Sequence, residues 1–172
     1  MGASVDLEFL SLFQKDWHLL ADFSDFFVGD QIGKGTERLV YEFRLNKDLV
    51  IKIDTGGNFA NVSEWDVWNN VKDDKVLSQF LAPCRNISSC GRILLQERTK
   101  PVILNDVPLE IPDFFSDVKI QNWGWLNKRV VCHDYANHTF FSCQKVKFKK
   151  PHWWSDSYWA LDKPVIEIKK KQ

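Results

Sequence analysis

The chain has 172 residues, enough for one domain with a sizeable core and too few for two full-sized ones. Its 23 Lys and Arg balance 23 Asp and Glu, which removes the electrostatic case for a nucleic-acid binder. With 44% hydrophobic and 14% aromatic residues, disorder is not the default state, and no apolar run approaches the roughly 18 residues of a membrane span.

In chain order, Val5 to Phe27 places apolar side chains at Leu7, Leu10, Phe13, Trp17, Leu20 and Phe23, the three-to-four spacing of one amphipathic packing helix. From Val28 to Asp54 the pattern changes to short period-two runs. A glycine-interrupted strand, Leu39 to Phe43, a turn at Asn46-Lys47-Asp48 and Leu49 to Ile53 predict a three-stranded antiparallel meander. Gly56-Gly57-Asn58 breaks it, and Val62 to Val71 reads as a short helix. Ile93 to Leu95 reads as a strand, Asp113 to Gly124 as a loop, and Arg129 to Cys132 as a short buried strand. Beyond Lys150, the Trp-rich stretch PHWWSDSYWALDKP reads as a docking helix that completes the core.

Cys84, Cys90, Cys132 and Cys143 form no CxxC pair, so they read as free or buried thiols and not as zinc ligands. The opening MGASVDLEFL has no basic leader before an apolar core, so no secretory signal is expected and a cytoplasmic setting follows. Asp6 stands where a myristoylation signal carries Ser or Thr. The lysines of Lys145 to Lys150 and Lys169 to Lys171 read as solvated surface or tail.

Several residues carry chemistry. Gly33-Lys34-Gly35 with Val40 beyond it suits a loop whose backbone approaches phosphates, although taken alone it reads as a plain hairpin turn. In Val50-Ile51-Lys52-Ile53, strand alternation turns Lys52 to the side opposite Ile51 and Ile53, and Glu64 on the next helix is placed to pair with it. Taken singly, both read as surface charges. Asp117-x-Lys119-x-x-Asn122 is followed, twelve positions after Asn122, by Asp134. Phosphoryl transfer needs these parts: a Lys for phosphates, oxygen ligands for magnesium, and a carboxylate for the attacking hydroxyl.

In this order the motifs resemble the protein-kinase superfamily, the serine/threonine kinases in particular, from about Gln31 to Asn137. The resemblance implies an α+β fold: a minimal kinase-like domain spanning residues 1–172, with an N-terminal helix over 1–28. An antiparallel β-sheet N-lobe would cover 29–97 and a strongly reduced C-lobe 98–172. It implies ATP and Mg as cofactors. Asp117 would orient or deprotonate the acceptor hydroxyl and Lys119 would neutralise the transferred phosphoryl group. Asn122 and Asp134 would hold magnesium, while Gly33, Gly35, Val40, Lys52 and Glu64 would serve the nucleotide. The segment Leu94 to Arg98 looks like the hinge, with backbone groups near Glu97 meeting adenine.

The chain departs from the family pattern in several places. Phe115-Ser116 stands in place of His-Arg, Arg38 replaces the third loop glycine, and the metal segment is Asp134-Tyr135-Ala136. Only 38 residues (172 less 134) follow Asp134, without an Ala-Pro-Glu motif, so the usual helical substrate platform has no room. The nucleotide half of the expected site is complete and the substrate half is nearly absent. Two functions are therefore expected: a reduced protein Ser/Thr kinase, or a pseudokinase-like module that binds and regulates or inhibits a partner protein. A small-molecule phosphotransferase needs a larger helical C-lobe and is less favoured. Kinase-like proteins this compact resemble those of bacterial viruses or secreted bacterial effectors; a phage origin would put the chain in the host cytoplasm with a protein substrate or regulated host protein as partner, and no membrane or nucleic acid.

Overall fold

The computed structural model describes residues 7–156, with the side chains of residues 7–10 excepted. The chain is α+β, and every pairing between its named strands is antiparallel. It divides into two compact units, residues 1–70 with 83–98, and residues 71–82 with 99–172.

The first unit opens with two helices, α1 (Leu7–Lys15) and α2 (Trp17–Phe27), where the apolar spacing predicts one. Asp16 causes the break. Its carboxylate accepts from the backbone N–H groups of His18 (2.9 Å) and Leu19 (3.3 Å), capping α2 in place of continuing α1. Apolar periodicity carries no sign of a cap, so the two helices read as one. Nor does α2 enter a core: none of its residues is buried, and its Phe23 ring packs at 5.1 Å on Phe13 of α1 and at 4.8 Å on Phe27.

Next come β1 (Val28–Lys34), β2 (Arg38–Phe43) and β3 (Leu49–Asp54), the expected meander, followed by α3 (Ala60–Val71). Two further strands, β4 (Cys84–Ile87) and β5 (Ile93–Glu97), extend the sheet to the order β1-β2-β3-β5-β4. β4 carries Arg85 and Asn86 in an exposed middle and has too little period-two signal to be read from sequence. Register sets which residues share a face. Arg38 lies opposite Asp54, Val40 opposite Lys52, and Lys52 opposite Leu94, so these side chains project to one side. The α3 residues Glu64 and Val67 are fully buried. Asp54 fixes the entry to α3: it accepts from the N–H groups of Gly56, Gly57 and Ala60, each at 3.1 Å.

The described residues of the second unit contain little helix. β6 (Lys100–Pro101), β8 (Trp123–Leu126) and β9 (Arg129–Cys132) form a three-stranded sheet in the order β6-β8-β9, and β7 (Ile111–Pro112) pairs with β10 (Phe148–Lys149). The β8–β9 hairpin turns through Asn127 (φ +48°) and Lys128 (φ +66°), both left-handed as a two-residue hairpin requires. An Asn-Lys pair is a weaker turn signal than Asn-Gly, and β8 was hidden for that reason. The core is aromatic: the Phe114 and Phe115 rings lie 4.5 Å apart, Phe115 and Trp123 5.0 Å, and all three are buried.

Residues 151–156 form no helix. Trp154 pairs with Lys119 as an isolated parallel bridge, so this stretch is held in extended form, and the remainder of the expected docking helix lies outside the described residues. Lys169 to Lys171 lie outside them also. Among Lys145 to Lys150, Lys149 is not simply solvated, as described below. Cys132 is buried, as its apolar run suggests, and no disulfide is present among the described cysteines. No helix of the described residues is long and apolar enough to cross a membrane.

Gly124 tests the packing of β6 on β8. A Cβ there would lie 2.5 Å from Thr99 Oγ1 and 2.6 Å from the Lys100 carbonyl oxygen, and the carbonyl cannot rotate away. Gly124→Ala should cost about 1–3 kcal/mol in urea unfolding. Gly57→Ala, at φ +77° with nothing within 4 Å, should cost no more than about 1–2 kcal/mol.

Candidate functional site

Each unit gathers its own set of charged residues. In the first, Glu64 projects from α3 with its side chain fully buried, and a carboxylate without water needs cations. Lys52 Nζ of β3 meets Oε2 at 2.8 Å, and Arg38 Nη1 of β2 meets Oε1 at 2.8 Å. Gln96 Nε2 of β5 donates to Oε2 at 3.4 Å. Lys52 and Arg38 are themselves buried, so neither Lys52 nor Glu64 is the surface charge that each resembles when read alone. Arg38 is the residue that sequence reasoning missed. It registers there only as a lost glycine, and its role depends on strand register: pairing with Asp54, two residues beyond Lys52, places it on the same face as Lys52.

Gly33 lies in β1 opposite Val40, and Gly35 begins the turn to β2, its N–H donating to the Arg38 carbonyl at 2.9 Å. The segment is a β-hairpin, and Val40 and Lys52 are direct cross-strand neighbours. At the expected hinge, the Glu97 N–H donates to the Pro83 carbonyl (2.9 Å), and the Arg98 N–H to the Asp48 carbonyl (2.8 Å). The Glu97 carboxylate pairs with Arg85. Both backbone donors are engaged within the unit, so an adenine read at Glu97 would have to address carbonyl oxygens.

In the second unit, Asp117, Lys119, Asn122 and Asp134 come together through a short chain of hydrogen bonds. Asp117 Oδ1 accepts from the Lys119 N–H (3.2 Å), and Oδ2 accepts from Asn122 Nδ2 (2.9 Å). The Asn122 backbone carbonyl accepts from the N–H groups of His133 (2.8 Å) and Asp134 (3.3 Å). A single turn over Ile120–Asn122 closes the loop, with the Asn122 N–H on the Lys119 carbonyl at 3.0 Å. Tyr135, beside Asp134, is buried and donates its hydroxyl to the Ala82 carbonyl at 2.8 Å.

The loop has an unexpected support. Lys149 Nζ of β10 donates to the carbonyls of Asp113 (3.0 Å) and Phe115 (2.6 Å), the stretch that leads into Asp117. Ser116 Oγ donates to the Asn137 carbonyl at 2.8 Å, tying that stretch to the segment after Asp134. Ser116 and Lys149 thus hold the stretch that leads into Asp117. Sequence could not have shown this, because Lys149 sits in a run that reads as a solvated charge cluster.

A magnesium ion could be held here only through a small number of protein oxygens. With Nδ2 of Asn122 committed to Asp117, Oδ1 is the amide atom that would face a cation, and the Asp134 backbone is bonded to the Asn122 carbonyl. No group of three or more His, Cys, Asp or Glu forms a metal cage among the described residues. Magnesium bound through one or two protein oxygens plus phosphates and water needs none. Bound there, it would neutralise phosphate charge.

The buried charges and the loop support set the cost of three substitutions. Glu64→Ala leaves two buried cations without their carboxylate and should lower unfolding free energy by about 3–5 kcal/mol. Lys52→Met leaves Glu64 paired with Arg38 and should cost less, about 1–3 kcal/mol; equal losses in urea melts would contradict the shared carboxylate. Lys149→Met removes two charge-assisted bonds and should cost about 1.5–3 kcal/mol, with faster amide exchange across residues 113–122.

Neither the models of known protein families nor the curated protein sequences contain a match to this chain, so the chemistry assigned to it rests on the residues themselves.

Proposed function

We propose that the chain is a minimal kinase-like phosphotransferase that moves the γ-phosphoryl group of magnesium-bound ATP to protein Ser or Thr. The observation that carries this reading is the cluster in the second unit, where one asparagine joins Asp117 by its side chain and Asp134 by its backbone. A freely solvated loop has no reason to join Asp117, Asn122 and the backbone of Asp134 through successive hydrogen bonds. Asp117 would accept the acceptor hydroxyl's proton as the oxygen attacks phosphorus, and Lys119 would offset charge on the phosphoryl oxygens. Asn122 and Asp134 would hold magnesium. In the first unit, Lys52 would bind phosphate oxygens, with Glu64 fixing the direction of its ammonium as Arg38 fixes Glu64.

A second reading, a pseudokinase-like module that regulates a partner protein, is favoured by a different observation. The Lys119 ammonium is already ion-paired with Asp156, which suits a chain that does not turn ATP over.

Purified protein incubated with radiolabelled ATP and magnesium should label itself or a lysate protein, and Asp134→Asn should lose that signal by at least about a hundredfold. Equal label transfer in Asp134→Asn would end the assignment. In thermal shift, a nucleotide present at a hundred times its dissociation constant stabilises by about 2.7 kcal/mol. A magnesium-dependent shift without turnover would favour the second reading, and no shift at all would exclude nucleotide from both.

A further inference from the structure

The segment before the end of the described chain lies along the loop that holds Asp117. Within the second unit, the Ile120 N–H donates to the Trp154 carbonyl at 2.8 Å, and Lys119 and Trp154 pair as a parallel bridge. The Lys119 ammonium sits 5.2 Å from the centroid of the Trp154 ring and ion-pairs with the Asp156 carboxylate. Gln121 Nε2 donates to Ser155 Oγ, and the Trp153 ring meets the buried Trp123 edge-on at 5.2 Å. Four consecutive residues of the segment therefore each engage a residue of the loop or its following strand.

We propose that Trp153–Asp156 is an intramolecular strap that competes with a phosphoryl anion for Lys119, the Asp156 carboxylate occupying the position of a phosphoryl oxygen. The inference rests on the reading of Lys119 as the cation of the transferred group, and it assigns regulation to that same site. A carboxylate and a phosphoryl group are both anionic acceptors of short hydrogen bonds from an ammonium, and two such anions on one point charge repel each other.

The strap divides into an anchor and a tip. Trp153 packs on buried Trp123, and the Trp154 carbonyl is hydrogen-bonded, whereas the Asp156 side chain is 60% exposed and Lys119 only 25%. An ion pair with one partner so exposed shifts an equilibrium only a few-fold. The tip can therefore be displaced by an incoming phosphoryl group while the anchor stays in place. Substrate or partner binding near Asp156 would then raise the loop's affinity for anions without any rearrangement of Asp117 or Asn122.

The full chain, Asp156→Asn, Lys119→Met and the double variant test this by calorimetric titration with pyrophosphate, alongside magnesium–ATP turnover. Asp156→Asn should bind pyrophosphate about two- to fivefold more tightly than the unmodified chain and raise kcat/KM by a similar factor. In the Lys119→Met background the same substitution should change neither. Equal pyrophosphate affinity in the unmodified chain and Asp156→Asn overturns the strap, as does a gain that persists without Lys119, which would be a general charge effect. Pyrophosphate binding to neither also overturns it, because Lys119 would then have no anion to compete for. Absence of turnover in every variant counts against the phosphotransferase reading alone, since the titration still decides the strap. The Asp156 side chain is exposed enough that its amide variant should melt with the unmodified chain.

Discussion

The first unit depends on one buried carboxylate. Glu64 is out of water, and an ionised group there is tolerated only if its charge is met at close range. Lys52 and Arg38 meet it from adjacent strands, and Gln96 adds a neutral donor from a third. One side chain on α3 thereby ties β2, β3 and β5, which an apolar residue could have done by packing alone. What the apolar alternative could not do is hold an ammonium in a single direction. The shared carboxylate thereby fixes the direction of the Lys52 ammonium within the unit.

The second unit solves a different problem. Among its described residues it has 3-10 turns in place of long helices, and these hold a polar loop. It does so with backbone carbonyls as hubs. Asn122 collects two N–H groups from the segment after β9, and Lys149 collects the two carbonyls that lead into Asp117. The buried rings of Phe114, Phe115 and Trp123 supply the core of this unit. An aromatic fraction of 14% in so short a chain is consistent with this way of building a core.

The places where sequence reasoning fell short share a cause. The break between α1 and α2 turns on a side chain bonding to the backbone two and three residues ahead, which apolar periodicity does not record. The Asn127-Lys128 turn needs left-handed backbone at a residue that seldom adopts it, so β8 gave no hairpin signal. Arg38 reads as a lost loop glycine and Lys149 as part of a solvated charge run, because the charge of a residue is local information and its partner is not.

What the sequence by itself determined was the set of local structures with strong periodicity: the three-strand meander, α3, β5 and β9, along with the opposition of Lys52 to its apolar neighbours. Those follow from the alternation of side chains along a strand and the repeat of a helix, which are properties of a few successive residues. Only the tertiary structure decided that Glu64 would be shared by Lys52 and Arg38, and that Lys149 would brace the stretch before Asp117. It alone brought Asp156 onto Lys119. Such pairings join residues 12 to 37 positions apart, and cross-strand register and loop closure set them, not any pattern visible in a short window.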